Sequence, residues 1–176
     1  QFGAMGGTAS HHKGFDPFAR ALEHLRDEPR ACGLELVIFG QRAPQSPPVL
    51  GFPIHYTGHL HDDLSLQVLY SAADALVVPS RQEAFGQTAS EAHACATPVI
   101  AFDTGGLPDI VVHHRTGYLA KPFDTQDLAR GIAWVVAQRE QQKLGAAARE
   151  RAIERFGYGM VGDQYWQVYR TAVATR

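Results

Sequence analysis

The chain is predicted to fold as a doubly wound α/β domain, a parallel sheet with helices on both faces, and three observations predict it. Short apolar runs alternate with helix-periodic segments from end to end. Several of those runs are near-continuous in Val, Ile, Leu and Ala, the mark of strands buried on both faces. The 176 residues, 45% hydrophobic and 19% charged, suit one globular core and are too apolar for a disordered segment. Such alternation implies right-handed crossovers between parallel strands.

Six strands are expected, at residues 1–5, 34–39, 54–57, 75–78, 99–102 and 117–120. After the first, Asp16 is the expected N-cap and Pro17 the first helical position, with Phe18, Leu22 and Leu25 on one apolar stripe. The spacing predicts a second helix over 63–72, with Leu64 and Val68 facing inward. A third begins near Gly86; Ala89, Ala92 and Ala96 form a small-residue face suited to close packing on the sheet, while Gln87, Thr88 and Glu91 point elsewhere. Beyond Thr125 the pattern is helical: Leu128, Ile132 and Val135, then residues 144–152, then Val161, Tyr165, Val168 and Ala172. Pro44, Pro47 and Pro48 mark 41–52 as a surface loop. Near the end, Tyr158, Tyr165, Trp166 and Tyr169 read as packing residues rather than as a stacking platform, with some of them expected to be exposed in this chain.

The net charge of −2 and the lack of a Lys/Arg run argue against a nucleic-acid partner, which needs a basic footprint. An anionic ligand must therefore find a local positive site. No apolar run approaches the roughly 20 residues that span a bilayer. Cys32 and Cys95 form no C-x-x-C pair and read as reduced, buried thiols of a cytoplasmic protein. The histidine pairs His11-His12, His59-x-His61 and His113-His114 lack a third ligand at helical spacing, so no metal site and no metal cofactor is expected. The abrupt opening on a strand-like run suggests that residues 1–176 are one domain cut from a longer chain.

In a doubly wound sheet the ligand crevice opens at the carboxyl ends of the strands, where the winding reverses between the first and fourth. The loop after the first strand is Gly6-Gly7-Thr8-Ala9-Ser10-His11-His12-Lys13-Gly14; the loop after the fourth is Ser80-Arg81-Gln82-Glu83-Ala84-Phe85-Gly86. Both carry glycine and charge. A helix starting at Gly86 offers free amides to a phosphate, and Glu83 and Glu91 can accept hydrogen bonds from sugar hydroxyls.

The core Pro79-Ser80-x-x-Glu83-x-Phe85-Gly86-x-x-x-x-Glu91, with Gly3-Ala4-Met5-Gly6-Gly7…Lys13-Gly14-Phe15 and Tyr70-Ser71-Ala72-Ala73-Asp74, resembles the donor-binding half of retaining GT-B glycosyltransferases. More narrowly, it is similar to family GT4, which builds polysaccharides and glycolipids from nucleotide sugars. The likeness covers essentially the whole chain. It implies a Rossmann-like domain that binds a nucleoside-diphosphate (NDP) sugar, with the acceptor domain outside this chain and peripheral membrane association, if any, through that missing half.

By the same resemblance, Glu83 contacts the donor sugar and Glu91 holds the ribose hydroxyls. The amides of Phe85, Gly86, Gln87 and Thr88 face the diphosphate or sugar. Lys13 offsets charge on the leaving diphosphate, with Gly6, Gly7 and His12 in the same loop. The pair Gly105-Gly106 lets backbone approach the sugar, and an acidic residue follows at Asp109. By its place after the third strand, Gly58-His59-Leu60 is expected to meet the base, mostly through backbone groups. The family pairs this lysine with an arginine; His12 stands where that Arg is often found, and Arg81 is the other candidate for the second cation. Two rivals stay open: a sugar-nucleotide 2-epimerase on this fold, and a non-catalytic nucleotide-sugar-binding module.

Overall fold

A computed structural model describes residues 2–6, 11–138 and 142–174. Six strands form one parallel sheet: β1 (Phe2–Gly6), β2 (Glu35–Phe39), β3 (Ile54–Gly58), β4 (Ala75–Val78), β5 (Val99–Phe102) and β6 (Gly117–Ala120). Their order is β3-β2-β1-β4-β5-β6, so the winding reverses between β1 and β4. Every strand pairing is parallel. The predicted fold class and all six strands are found, β1 and β3 each running one residue further than expected.

Period-two alternation divides the strand side chains between two cores. On one face Val77, Ile100 and Phe102 pack with Phe18, Leu22 and Leu25 of α1 (Phe15–Leu25) and with Leu128, Ile132 and Val136 of α5 (Thr125–Ala137). On the other, Leu76, Val78, Val99 and Ala101 meet Tyr70 of α2 (Asp63–Ala72), Ala89 and Ala92 of α3 (Gln87–Ala94), and Leu107 and Ile110 of the short α4 (Leu107–Ile110). The fully buried Ala89 and Ala92 bear out the small-residue face of α3. Ala96 lies beyond its end, with φ +61°. Helix α6 (Lys143–Phe156) then packs on α3, and α7 (Tyr158–Ala174) completes the described chain.

Four expectations are corrected. Helix α1 starts at Phe15, and its N-cap is Gly14 in a left-handed conformation, not Asp16. Asp16 is already inside the first turn, where Arg81 binds its carboxylate. In α2, Leu64 and Val68 do not face inward but are 69% and 60% exposed. The inward register belongs to Tyr70, with Leu66 and Leu69 beside it, because its ring packs edge to face with Phe39 and its hydroxyl reaches Glu91. Cys32 is exposed and Cys95 only partly buried; in the turn preceding Cys32 it is Ala31 that takes the core position. Finally, all four of Tyr158, Tyr165, Trp166 and Tyr169 are exposed, not only some of them, since α7 buries none of its residues.

Candidate functional site

Two loops meet where the winding reverses, and four contacts fasten them. Gly14, at φ +72°, lies so close to Pro79 that a Cβ there would stand 1.8 Å from the Pro79 carbonyl oxygen; only glycine permits both the conformation and the approach. The Arg81 amide donates to the His12 carbonyl at 2.8 Å. The Arg81 guanidinium binds Asp16 and lies 6.0 Å from the centre of the Phe123 ring. Lys13 Nζ donates to Glu83 Oε2 at 3.2 Å.

The last contact joins two residues that the sequence singles out separately, seventy positions apart. Lys13 keeps 45% of its side-chain surface exposed and Glu83 17%, so the ammonium is the more solvent-exposed partner of the pair.

Glu83 is set from behind by the loop that follows β5. The Gly106 amide donates to the Glu83 carbonyl at 2.9 Å. A Cβ on Gly105 (φ +56°) would fall 2.0 Å from the same oxygen, and one on Gly106 would fall 2.6 Å from the Ala84 carbonyl. The double glycine thus lets backbone approach backbone: Gly105 and Gly106 seat the Glu83–Phe85 loop, where the sequence suggests an approach to a ligand. Helix α4 follows, held at its far end by Arg151, whose Nε donates to the Ile110 carbonyl at 2.6 Å. Asp109 is exposed in that helix.

Gly86, at φ +99°, turns the chain into α3 and brings no side chain to cap it. The amides of Gln87 and Thr88 open the helix ahead of the first bonded amide, Ala89, which donates to Gly86. Uncapped amides at a helix start carry the positive end of the helix dipole and favour an anion. Gln87 is exposed and Thr88 partly buried. The Phe85 ring turns onto α6 and meets Phe156 edge to face at 5.4 Å.

Glu91, one turn further along α3, is partly buried. Its Oε2 accepts from the phenol of Tyr70 at 3.0 Å. Burial, then the neighbouring carboxylate, pushes the Tyr70 pKa far above its usual value, so the phenol stays a donor.

Of the other candidates, Gly6 ends β1 opposite Phe39, and Gly7 lies outside the described residues. The His12 side chain is exposed. Leu60 follows β3 and lines an apolar hollow with Val37, Val68 and Leu69. Among the described residues no group of three or more His, Cys, Asp or Glu is placed to hold a metal ion. Gly14, Asp16 and Tyr70 all fall in or beside runs that stand out in the sequence, but their contacts with Pro79, Arg81 and Glu91 leave no local signal there.

The family model for glycosyl transferases group 1 matches residues 1–138. A D-inositol 3-phosphate glycosyltransferase of Xylanimonas cellulosilytica is 33% identical over 174 residues, which are 93% of this chain and 40% of that relative. The solved sucrose-phosphate synthase of Thermosynechococcus elongatus is 31% identical with a TM-score of 0.80, over 99% of this chain and 46% of its own. A protein of Anabaena, solved with UDP and glucose, shares the fold at a TM-score of 0.73 and 22% identity, over 97% of this chain and 48% of its own. The chain therefore spans less than half the length of each of these proteins. The resemblance to GT-B glycosyltransferases read from the motifs is borne out: the chain belongs to the glycosyl transferases group 1 family.

Proposed function

We propose that this chain is the donor-binding domain of a retaining glycosyltransferase, which moves a sugar from an NDP-sugar to an acceptor hydroxyl in polysaccharide or glycolipid synthesis. The observation that carries the reading is the convergence of Lys13, Glu83 and the uncapped start of α3 at the reversal between β1 and β4. That is where open α/β sheets take their ligands. Family membership and the Anabaena structure with UDP and glucose support the same ligand class.

Each group has a task set by its chemistry. The amides of Gln87 and Thr88, with Phe85 and Gly86 leading into them, receive the diphosphate or the sugar. Lys13 leaves Glu83 and turns to the diphosphate, offsetting the charge that grows as the sugar departs. Glu83, so released, accepts from the donor-sugar hydroxyls, seated by Gly105 and Gly106. Glu91 accepts from the ribose diol; each such charge-assisted bond contributes roughly 1.5–3 kcal/mol. His12 lies by the phosphates, and Gly58-His59-Leu60 meets the base mostly through its backbone. His12 and Arg81, whose guanidinium binds Asp16, stay the two candidates for a second cation.

In this reading the acceptor domain precedes the chain in the complete enzyme, which works in the cytoplasm without a metal and touches a membrane only through that other half. The deciding experiment gives the full-length enzyme an NDP-sugar and follows the product by NMR. An α-linked product from an α-linked donor is expected. An inverted linkage, or epimerised sugar nucleotide formed without acceptor, would refute the proposal.

A further inference from the structure

We infer that Tyr70 is a positioning residue for nucleotide recognition, holding the Glu91 carboxylate in the one arrangement that meets a ribose diol. The inference rests on the ribose role proposed for Glu91 and adds a residue that the reading itself does not require.

Tyr70 is anchored on every side the structure shows. It lies in the last turn of α2 with 1% of its surface exposed. Its ring stands edge-on to Phe39 at 5.9 Å, and its carbonyl accepts from Thr97 Oγ1 at 2.6 Å. A side chain so fixed presents its hydroxyl at one point in space. That hydroxyl donates to Glu91 Oε2, and the phenol is kept protonated by burial and by the carboxylate itself.

A glutamate on a helix has three rotatable side-chain bonds, and ordering them on binding costs free energy. The Tyr70 hydroxyl meets that cost during folding. A carboxylate has about four lone-pair sites on two oxygens. The phenol uses one of them, and the rest suffice for the two hydroxyls of a vicinal diol. A rigid aromatic donor thus pre-orders an acceptor that would otherwise sample several rotamers.

The experiment compares a nucleoside diphosphate with its 2′,3′-dideoxy counterpart, which lacks the diol, by calorimetry on this chain. UDP, GDP and ADP are screened first and the tightest is used. Tyr70→Phe keeps the ring and removes only the hydroxyl. It is expected to weaken the ribonucleotide about 5- to 10-fold and to leave the dideoxy form unchanged, so that the preference for ribose shrinks. The double variant Tyr70→Phe/Glu91→Ala should bind no worse than Glu91→Ala alone, since the two act through one contact. A measurement on the parent does not depend on that variant folding. By NMR the Glu91 side chain should be as ordered without nucleotide as with it; a side chain that becomes ordered only on binding would overturn the inference.

Equal weakening of both nucleotides would show that Tyr70 only supports the fold, and would overturn the inference. Additive losses in the double variant would overturn it too. A parent that binds nucleotide with no ribose preference, and with no dependence on Glu91, would remove the ribose reading and this inference together. A parent that depends on Glu91 while Tyr70→Phe behaves like it would remove this inference alone.

Discussion

Lys13 Nζ and Glu83 Oε2 stand 3.2 Å apart across the reversal of the sheet, a cation from the loop after β1 held by an acid from the loop after β4. With 45% of the lysine side chain exposed, the pair contributes no more than about 1 kcal/mol to stability. A diphosphate, carrying more charge than one carboxylate, can draw the lysine away at small cost. In the proposed donor site the contact holds the two candidate groups in readiness, each neutralising the other until a donor enters.

Lys13→Ala should weaken a nucleoside diphosphate about 10-fold or more and leave the unphosphorylated nucleoside unaffected, because its proposed partner is the diphosphate. Calorimetry with both ligands measures this. Equal losses for the two would place Lys13 outside the phosphate site.

Glu83→Gln, in the full-length enzyme, should lower kcat about 100-fold or more while UDP affinity stays within about 3-fold. The variant removes the charge proposed to face the sugar and keeps the loop. Unchanged kcat would show that Glu83 does not touch the reacting sugar.

Gly105→Ala should destabilise the domain by more than about 2 kcal/mol. The left-handed φ of +56° alone costs an alanine about 1–2 kcal/mol, and its Cβ would fall 2.0 Å from the Glu83 carbonyl oxygen. Urea unfolding gives the change in stability. A loss below about 1 kcal/mol would show that the loop yields readily, and Glu83 would then need another support.

His93, buried in α3, gives the fold a pH dependence apart from the site. Burial lowers its pKa from 6.5 to about 4, opposed by a backbone group of Thr116 and aided by the nearby Arg151. Between those values the unfolded chain binds more protons than the folded one. Stability from this residue is therefore full above about pH 6.5 and falls as the pH drops toward 4, by up to about 3 kcal/mol. His93→Leu should flatten urea-derived stability over that range relative to the parent. Parallel curves would show that His93 does not stay neutral in the fold.

What was legible in the sequence was set by local pattern. Continuous apolar runs gave the six strands, and strand–helix alternation gave the reversal between β1 and β4. Glu83, Glu91 and Lys13 stood out because charge beside glycine at strand ends is rare in a core and common at a crevice. Contacts between distant segments leave no such trace. Nothing local distinguishes Asp16 as the partner of Arg81 from Asp16 as a helix cap, since either role suits an acid before Pro17. The inward face of α2 was misread at Leu64 and Val68 because period alone allows either register; Tyr70 won through its fit between Phe39 and Glu91. The double glycine was visible, but its neighbour was not: space for a ligand and space for the Glu83 carbonyl look alike in sequence.

Nucleotide binding by this chain, with and without Glu91, tests the central claim most directly. Calorimetry against UDP, GDP and ADP should find at least one bound with a Kd below 1 mM, and Glu91→Ala should weaken it by about 10-fold or more. Failure of all three to bind at millimolar concentration, or equal affinities of parent and variant, would contradict the account.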